Sequence, residues 1–267
     1  MLLARRGVIG HSGWTASGPA MAEGMVTATS GRLRLMDRKR AFAREEILNA
    51  AERLLRAGDV PDFSMRALCE EAGVSFATPF NYFGSKAGIL RGLAQRMFDA
   101  IIDRYSADTA VAPTGGGDAI DRAFVMGEAG CAVWLERPAM HRFLIGSMVA
   151  DGPAVAGSLN GDPEEMRTRS RALWILALGA YDGIDPAMRP LAEAALPEQL
   201  AIMFRGAAAL WAGGEIADDQ FAAAVELSTA TSLTGYVPAD RRVALSGRIA
   251  RAATVLAPRI ATGSHSD

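Results

Sequence analysis

The stretch SMRALCEEAGVSFATPFNYFGSK, residues 64–86, decides how the rest of the chain is read. Ser64 offers a side-chain oxygen to the free N–H groups of a helix start, and Met65, Leu68 and Cys69 recur at the spacing of one inward helical face. Gly73 closes that helix early, Gly73-Val74-Ser75 makes the turn, and Phe76 to Phe83 reads as a second short helix. Gly84-Ser85 then restarts the chain into a helix reaching roughly Tyr105, with Ile89, Leu90, Leu93, Met97 and Ile101 on its stripe. A core helix would be longer and would repeat its apolar residues every three or four positions. The second short helix is built to present side chains outward.

Two short helices joined by a three-to-four residue turn containing glycine have the helix-turn-helix signature, whose second helix enters the DNA major groove. Leu68, Ala72 and Val74 are expected to lock the pair together, and Leu48, Leu54 and Leu55 of the preceding helix to complete a three-helix core. Ser75, Phe76, Ala77, Thr78, Asn81 and Tyr82 then project away from it. Hydroxyls and amides reach phosphate oxygens or base edges, and an apolar tip can lie on a thymine methyl. Lys86 stands in the first turn of the following helix, where free backbone N–H groups and the helix dipole already favour an anion.

The rest of the chain reads as helix, so the expected fold class is all-α. From Asp37 to Ala57, Phe42, Ile47, Leu48, Ala51, Leu54 and Leu55 fall on one face, and further helices are expected near 119–136, 138–150, 163–182, 187–213, 217–235 and 239–257. Pro138, Pro163, Pro186 and Pro238 sit at helix starts, where a missing N–H costs least. The expected divisions are a disordered extension or over-long start at 1–36 (with Met36 an alternative start), a DNA-binding domain at 37–84 with its motif at 64–83, and a connecting helix at 85–110. A helical effector-binding and dimerisation domain at 111–257 and a disordered tail at 258–267 follow.

Charge is uneven along the chain. Residues 1–98 carry fourteen basic and nine acidic side chains, +5, whereas residues 99–267 carry fourteen and twenty-one, −7. The positive part concentrates in Arg32, Arg34, Arg38, Lys39, Arg40 and Arg44, an arm of the kind that meets polyphosphate. No run approaches the ~18 apolar residues of a membrane span, and no membrane partner is expected. Cys69 and Cys131 both lie inside helical patterns, which fits a reducing cytoplasm better than a disulfide framework. The histidines are His11, His141 and His265, and no H-x-x-H, C-x-x-C, G-x-S-x-G or phosphate-loop motif occurs, so neither catalysis nor a metal or cofactor is expected.

At the opening stretch the sequence resembles the TetR-type one-component transcriptional regulators. Ser64, Leu68, Ala72-Gly73-Val74-Ser75, Thr78, Phe80, Phe83, Ser85-Lys86 and Leu90 match that family's pattern in register, and the resemblance covers residues 37–98. It implies a homodimer with an amino-terminal reader of a pseudo-palindromic DNA operator and a divergent carboxy-terminal effector domain. The family's DNA contacts fall here on Ser64, Arg66, Ser75, Phe76, Ala77, Thr78, Phe80, Asn81, Tyr82 and Lys86. Four residues depart from the pattern: Phe80 stands for a usual Tyr and loses a hydroxyl for phosphate, Phe76 for a Lys, Ala77 for a Gly, and Pro79 for a Leu. Pro79 removes an N–H, tolerable only near the first turn of so short a helix.

The second body is rich in aromatic and Met residues, which suit an apolar pocket with a few polar anchors for a small, mainly apolar effector. Trp134, Phe143 and Trp174, with His141 and Arg137 as the polar groups, are the expected lining. In the family the last long helices make a four-helix bundle with a twofold mate; here the small-residue faces of Arg205 to Gly214 and Phe221 to Gly235 are the expected counterparts. The resulting expectation is a sequence-specific repressor released by that effector. Two alternatives stand beside it: a reader whose second body binds a protein partner, and a helical enzyme without a recognisable motif.

Overall fold

The computed structural model describes the backbone of residues 20–57, 61–112, 115–150 and 163–257 and the side chains of 38–57, 61–112, 115–147 and 164–257. These residues form ten helices: α1 (Ala20–Ala57), α2 (Met65–Ala72), α3 (Ala77–Phe83), α4 (Lys86–Val111), α5 (Ala119–Leu135), α6 (Pro138–Ala150), α7 (Pro163–Leu178), α8 (Arg189–Ala212), α9 (Asp218–Leu233) and α10 (Ala239–Leu256). No strand occurs among the described residues. None of the described helices is long and apolar enough to cross a membrane.

By contacts the chain divides within α1 into residues 1–46 and residues 47–267. In the first unit α1 begins at Ala20, ahead of the start expected at Asp37, because extending a nucleated helix through Ala, Met, Glu, Leu and Arg adds one hydrogen bond per residue fixed. Residues 1–19 of the expected extension and the expected tail at 258–267 lie outside the described residues. Phe42, expected on the apolar stripe, is 69% exposed. Among the described side chains of α1, the buried stripe starts at Ile47.

In the second unit, Ile47, Leu48, Ala51 and Leu55 of α1 close over Phe63, Leu68 of α2, and Ile89 and Leu93 of α4. Farther along α4, Met97, Phe98, Ile101 and Tyr105 are buried in the same continuous cluster, which runs on through α5 to Leu245 of α10. α4, close to the connecting helix expected at 85–110, thus supplies core residues both to the helix-turn-helix and to the body. In the body α5 packs against α4, α6, α7 and α9, while α9 lies against α5, α8 and α10.

Local chemistry explains where these helices stop. Asp118 caps α5 by accepting from Ile120 N–H at 3.0 Å and Asp121 N–H at 3.1 Å. α7 ends at Leu178 instead of the expected residue 182 because Arg122 takes its last carbonyls, donating to Ala177 O at 2.9 Å and Leu178 O at 3.2 Å. The same guanidinium also donates to Gly117 O at 2.6 Å and to the Asp182 carboxylate at 2.6 Å. A cation on the carbonyl end of a helix dipole completes that end. Gly179 and Tyr181 then adopt positive φ (51° and 57°) and turn the chain away. Pro186, expected at the start of α8, falls in the turn before it, and Pro190 takes the helix-start position in its place.

Candidate functional site

Ser64 has extended backbone (φ −86°, ψ 152°) and accepts from Ala67 N–H at 3.0 Å, which opens α2. Gly73 ends it in the left-handed region (φ 64°), and Val74 N–H reaches back to Cys69 O at 3.0 Å. A Cβ at Gly73 would meet nothing within 4 Å, so the demand for glycine here is conformational. The turn continues with Thr78 N–H donating to Ser75 O at 2.9 Å, while the Ser75 and Thr78 hydroxyls bond each other at 2.8 Å. Pro79 is the third residue of α3, where no intrahelical donor is missed, and its ring is buried.

These constraints divide α3 into two faces. Pro79, Tyr82 and Phe83 share the inward one at i, i+3, i+4 spacing. Tyr82 is therefore half-buried with its ring against the core, a correction to the expectation that it projects outward. Ser75, Phe76, Ala77, Phe80 and Asn81 are exposed, with Thr78 half-buried beside them. Phe76 (59% exposed) and Phe80 (38%) hold their rings 5.3 Å apart, an apolar ledge that the sequence pattern alone did not pair.

The charges around this face are already engaged. Lys86 is ion-paired with Asp62, and its ammonium lies 5.0 Å from the centre of the Phe63 ring. The hydrogen bond from Lys86 holds the Asp62 carboxyl below its ordinary 3.8, and Phe63 N–H adds to it at 2.7 Å. Arg66 pairs with Glu70 at 3.0 Å and Arg53 with Glu71 at 2.5 Å. Lys86 keeps the position expected of it at the start of α4, half-buried and paired with the Asp62 carboxylate.

Two further residues seat α3 and α1 on α4. Gly88 and Gly92 lie on the buried face of α4, where an added Cβ would stand 1.8 Å from Phe83 O and 2.8 Å from a Leu48 methyl, respectively. They let α3 and α1 approach that helix. Two glycines four apart inside a helix work against helix propensity, and that spacing was the legible signal for a close approach.

In the body, Trp134 and Trp174 are buried and both meet Phe204, with ring centroids 4.8 and 5.8 Å away. Buried His141 bonds through Nδ1 to Trp134 O at 2.8 Å; since a carbonyl can only accept, the ring donates there. Burial lowers the His141 pKa from 6.5, which keeps the imidazole neutral. Phe143 is half-buried against the core. Arg137 is exposed at the corner between α5 and α6 and does not join the others, because that corner turns outward.

α9, expected to offer its small-residue face to a twofold mate, buries Phe221, Ala224, Val225, Thr229, Ala230, Ser232 and Leu233 within its own chain. Gly127 and Gly130 of α5 let its neighbours close in, with a Cβ at Gly127 only 3.0 Å from Val225. Large exposed apolar side chains lie on α7 (Ile175, Leu176) and α8 (Leu191, Ile202, Met203, Leu210), as well as on α10 (Val243, Val255).

The family described as "Bacterial regulatory proteins, tetR family" matches residues 47–93, the span from Ile47 of α1 to Leu93 of α4. The HTH-type transcriptional regulator AlkX of Mycobacterium tuberculosis (strain ATCC 25618 / H37Rv) is 32% identical over 76 residues, which cover 28% of this chain. The matched segment spans 36% of that relative's length.

Proposed function

We propose that this chain, whose residues 47–93 match the tetR-family model, is a dimeric, sequence-specific transcriptional repressor released from its operator by a small, mainly apolar effector. The observation that carries the reading is α3: a seven-residue helix held by Gly73, Pro79 and the α4 glycines, with Ser75, Phe76, Ala77, Phe80 and Asn81 facing solvent. Asn81 and the Ser75–Thr78 hydroxyl pair supply the polar contacts for base edges and phosphates, and the Phe76–Phe80 ledge lies against thymine methyls. Dimerisation through the exposed apolar residues of α7 and α8 would present two such helices to half-sites about one DNA turn apart (~34–36 Å).

Charge supports a division of labour. Within residues 47–93, Arg53, Arg56, Arg66, Lys86 and Arg91 are balanced by Glu52, Asp59, Asp62, Glu70 and Glu71. The unspecific attraction to phosphate therefore falls to the arm containing Arg32, Arg34, Arg38, Lys39, Arg40 and Arg44. Replacing Lys86 by alanine is expected to weaken binding to all duplexes alike and to shallow the salt slope by about one unit. Replacing Asn81 should relax base preference at one position instead. Anisotropy titrations on a panel of operator variants at several salt concentrations separate the two; the same selective loss for both variants would contradict these roles.

The switch runs along α4, whose start carries Lys86 and whose buried residues serve reader and body together. A ligand preferring the DNA-incompetent spacing by roughly 1–3 kcal/mol loosens DNA about 5- to 150-fold, and DNA loosens the ligand equally. The reading is tested by selecting bound sequences from random duplex DNA and screening ligands for release. Failure to enrich any sequence removes the reader role, whereas equal ligand affinity for free and DNA-bound protein removes the coupling.

A further inference from the structure

Buried donors without acceptors are concentrated in the body. Among the described residues, the indole Nε1 of Trp134, the indole Nε1 of Trp174 and the hydroxyl of Ser170 have no hydrogen-bond partner. All three side chains belong to residues no more than 3% exposed. Trp211 makes the contrast, since its Nε1 donates to Asp218 at 2.8 Å. Ser170 precedes Trp174 by one turn of α7 and so shares its face, and the Trp174 and Trp134 rings both lie against Phe204, with centroids 5.8 and 4.8 Å away. An indole N–H can only donate, and buried polar groups in folded proteins are nearly always matched.

We infer that the effector site proposed above receives an apolar molecule bearing a neutral hydrogen-bond acceptor, a ketone or ester carbonyl, taken by Trp134, Trp174 and Ser170 beside Phe204. This rests on the effector reading and specifies its chemistry. Neutrality follows from the surroundings. Arg137 is exposed, Arg142 is committed to Asp218 at 2.7 Å and to the Trp211 ring at 4.8 Å, and His141 is held neutral with Nδ1–H on Trp134 O. The remaining buried orphan, Arg91 Nε, is on α4 one turn before Gln95 and belongs to the reader's end of that helix. A buried carboxylate at the two indoles would lack a counter-charge.

Calorimetric titration of the full chain with 2-nonanone, nonane and nonanoate tests the inference, with operator release followed separately by anisotropy. The ketone should bind at least tenfold more tightly than the alkane and than the carboxylate. Trp134→Phe with Trp174→Phe should lose about tenfold for the ketone and nothing for the alkane, and Ser170→Ala a smaller factor. In the ligand-free protein Ser170→Ala should leave the melting temperature unchanged or raised, since it removes an unmatched hydroxyl in a nearly isosteric swap. Equal affinities for ketone and alkane, tighter binding of nonanoate, no binding of any probe, or a lowered melting temperature of Ser170→Ala each overturn it. If the ketone binds as expected without releasing DNA, the acceptor site stands and the repressor switch fails. If another compound releases DNA while the ketone does not bind, the reverse holds.

Discussion

Alanine at Gly88 is expected to abolish operator binding while the helical body stays folded. The added methyl would stand 1.8 Å from the carbonyl oxygen and 2.8 Å from the carbonyl carbon of Phe83. Both are backbone atoms, so no rotamer change can relieve the contact. The junction between α3 and α4 must open, and Phe83, Gly84 and Ser85 must move with it. Overpacking a core by one methyl costs about 1–3 kcal/mol and occasionally more, and a backbone clash of this depth belongs at or above the upper end. About 3 kcal/mol imposed on the reader alone corresponds to roughly a hundredfold or more in affinity. Gly92→Ala is the internal control: its methyl meets the ends of the Leu48 and Phe83 side chains at 2.8 and 3.2 Å, and these can give. Anisotropy on the selected duplex, with circular dichroism for helix content, should rank Gly88→Ala far below Gly92→Ala. Operator affinity within twofold of the parent for Gly88→Ala would show that the α3–α4 seat is softer than drawn.

The second large effect is expected at Arg122. Its side chain is 17% exposed and holds the ends of three segments at once: the loop before α5, the last carbonyls of α7, and the Asp182 carboxylate. Arg122→Ala strands two helix-terminal carbonyls and an acid, with a cost of about 3 kcal/mol for a hydrogen-bonded cation removed from partners that stay behind. For a chain of this size that lowers the melting temperature by roughly 6–12 °C. Arg122→Lys should recover only part, because an ammonium cannot reproduce a planar fork of donors. The hydrogen bond from Arg122 depresses the Asp182 carboxyl below its ordinary 3.8. Its contribution is accordingly full above that pH and fades as pH falls through the lowered value, so the gap between parent and Arg122→Ala should narrow only below about pH 4. A gap that closes nearer neutrality would assign the stabilisation to another group.

Much of the reader was legible because its rules are local. Ser64 and Ser85 as caps, Gly73 as the left-handed stop, the tight turn, and Pro79 confined to the first turn of α3 all follow from backbone groups within four residues of each other. The six body helices were placed to within a few residues for the same reason: proline starts, glycine stops and a 3.6-residue stripe are written along the chain. The α7 terminus was missed because its cap is Arg122, fifty-five residues away.

The amino-acid sequence by itself determined that the described residues form helices and no strand, that two short helices around Gly73 form a helix-turn-helix, and which polar and aromatic side chains α3 carries. Only the tertiary structure decided which of them face out. Tyr82 turned inward because Pro79 lies three residues before it on the seated face, and Lys86 was found on Asp62 rather than unpaired. The tertiary structure also decided that α9 buries the face from Phe221 to Leu233 within its own chain, that Arg137 stands apart from Trp134 and Trp174, and that these two indoles flank one phenyl ring without acceptors. The reason is physical. Helix formation is settled by hydrogen bonds and caps between near neighbours, whereas burial, ion pairing and the fate of a donor depend on which distant segments meet, and periodicity carries no record of that.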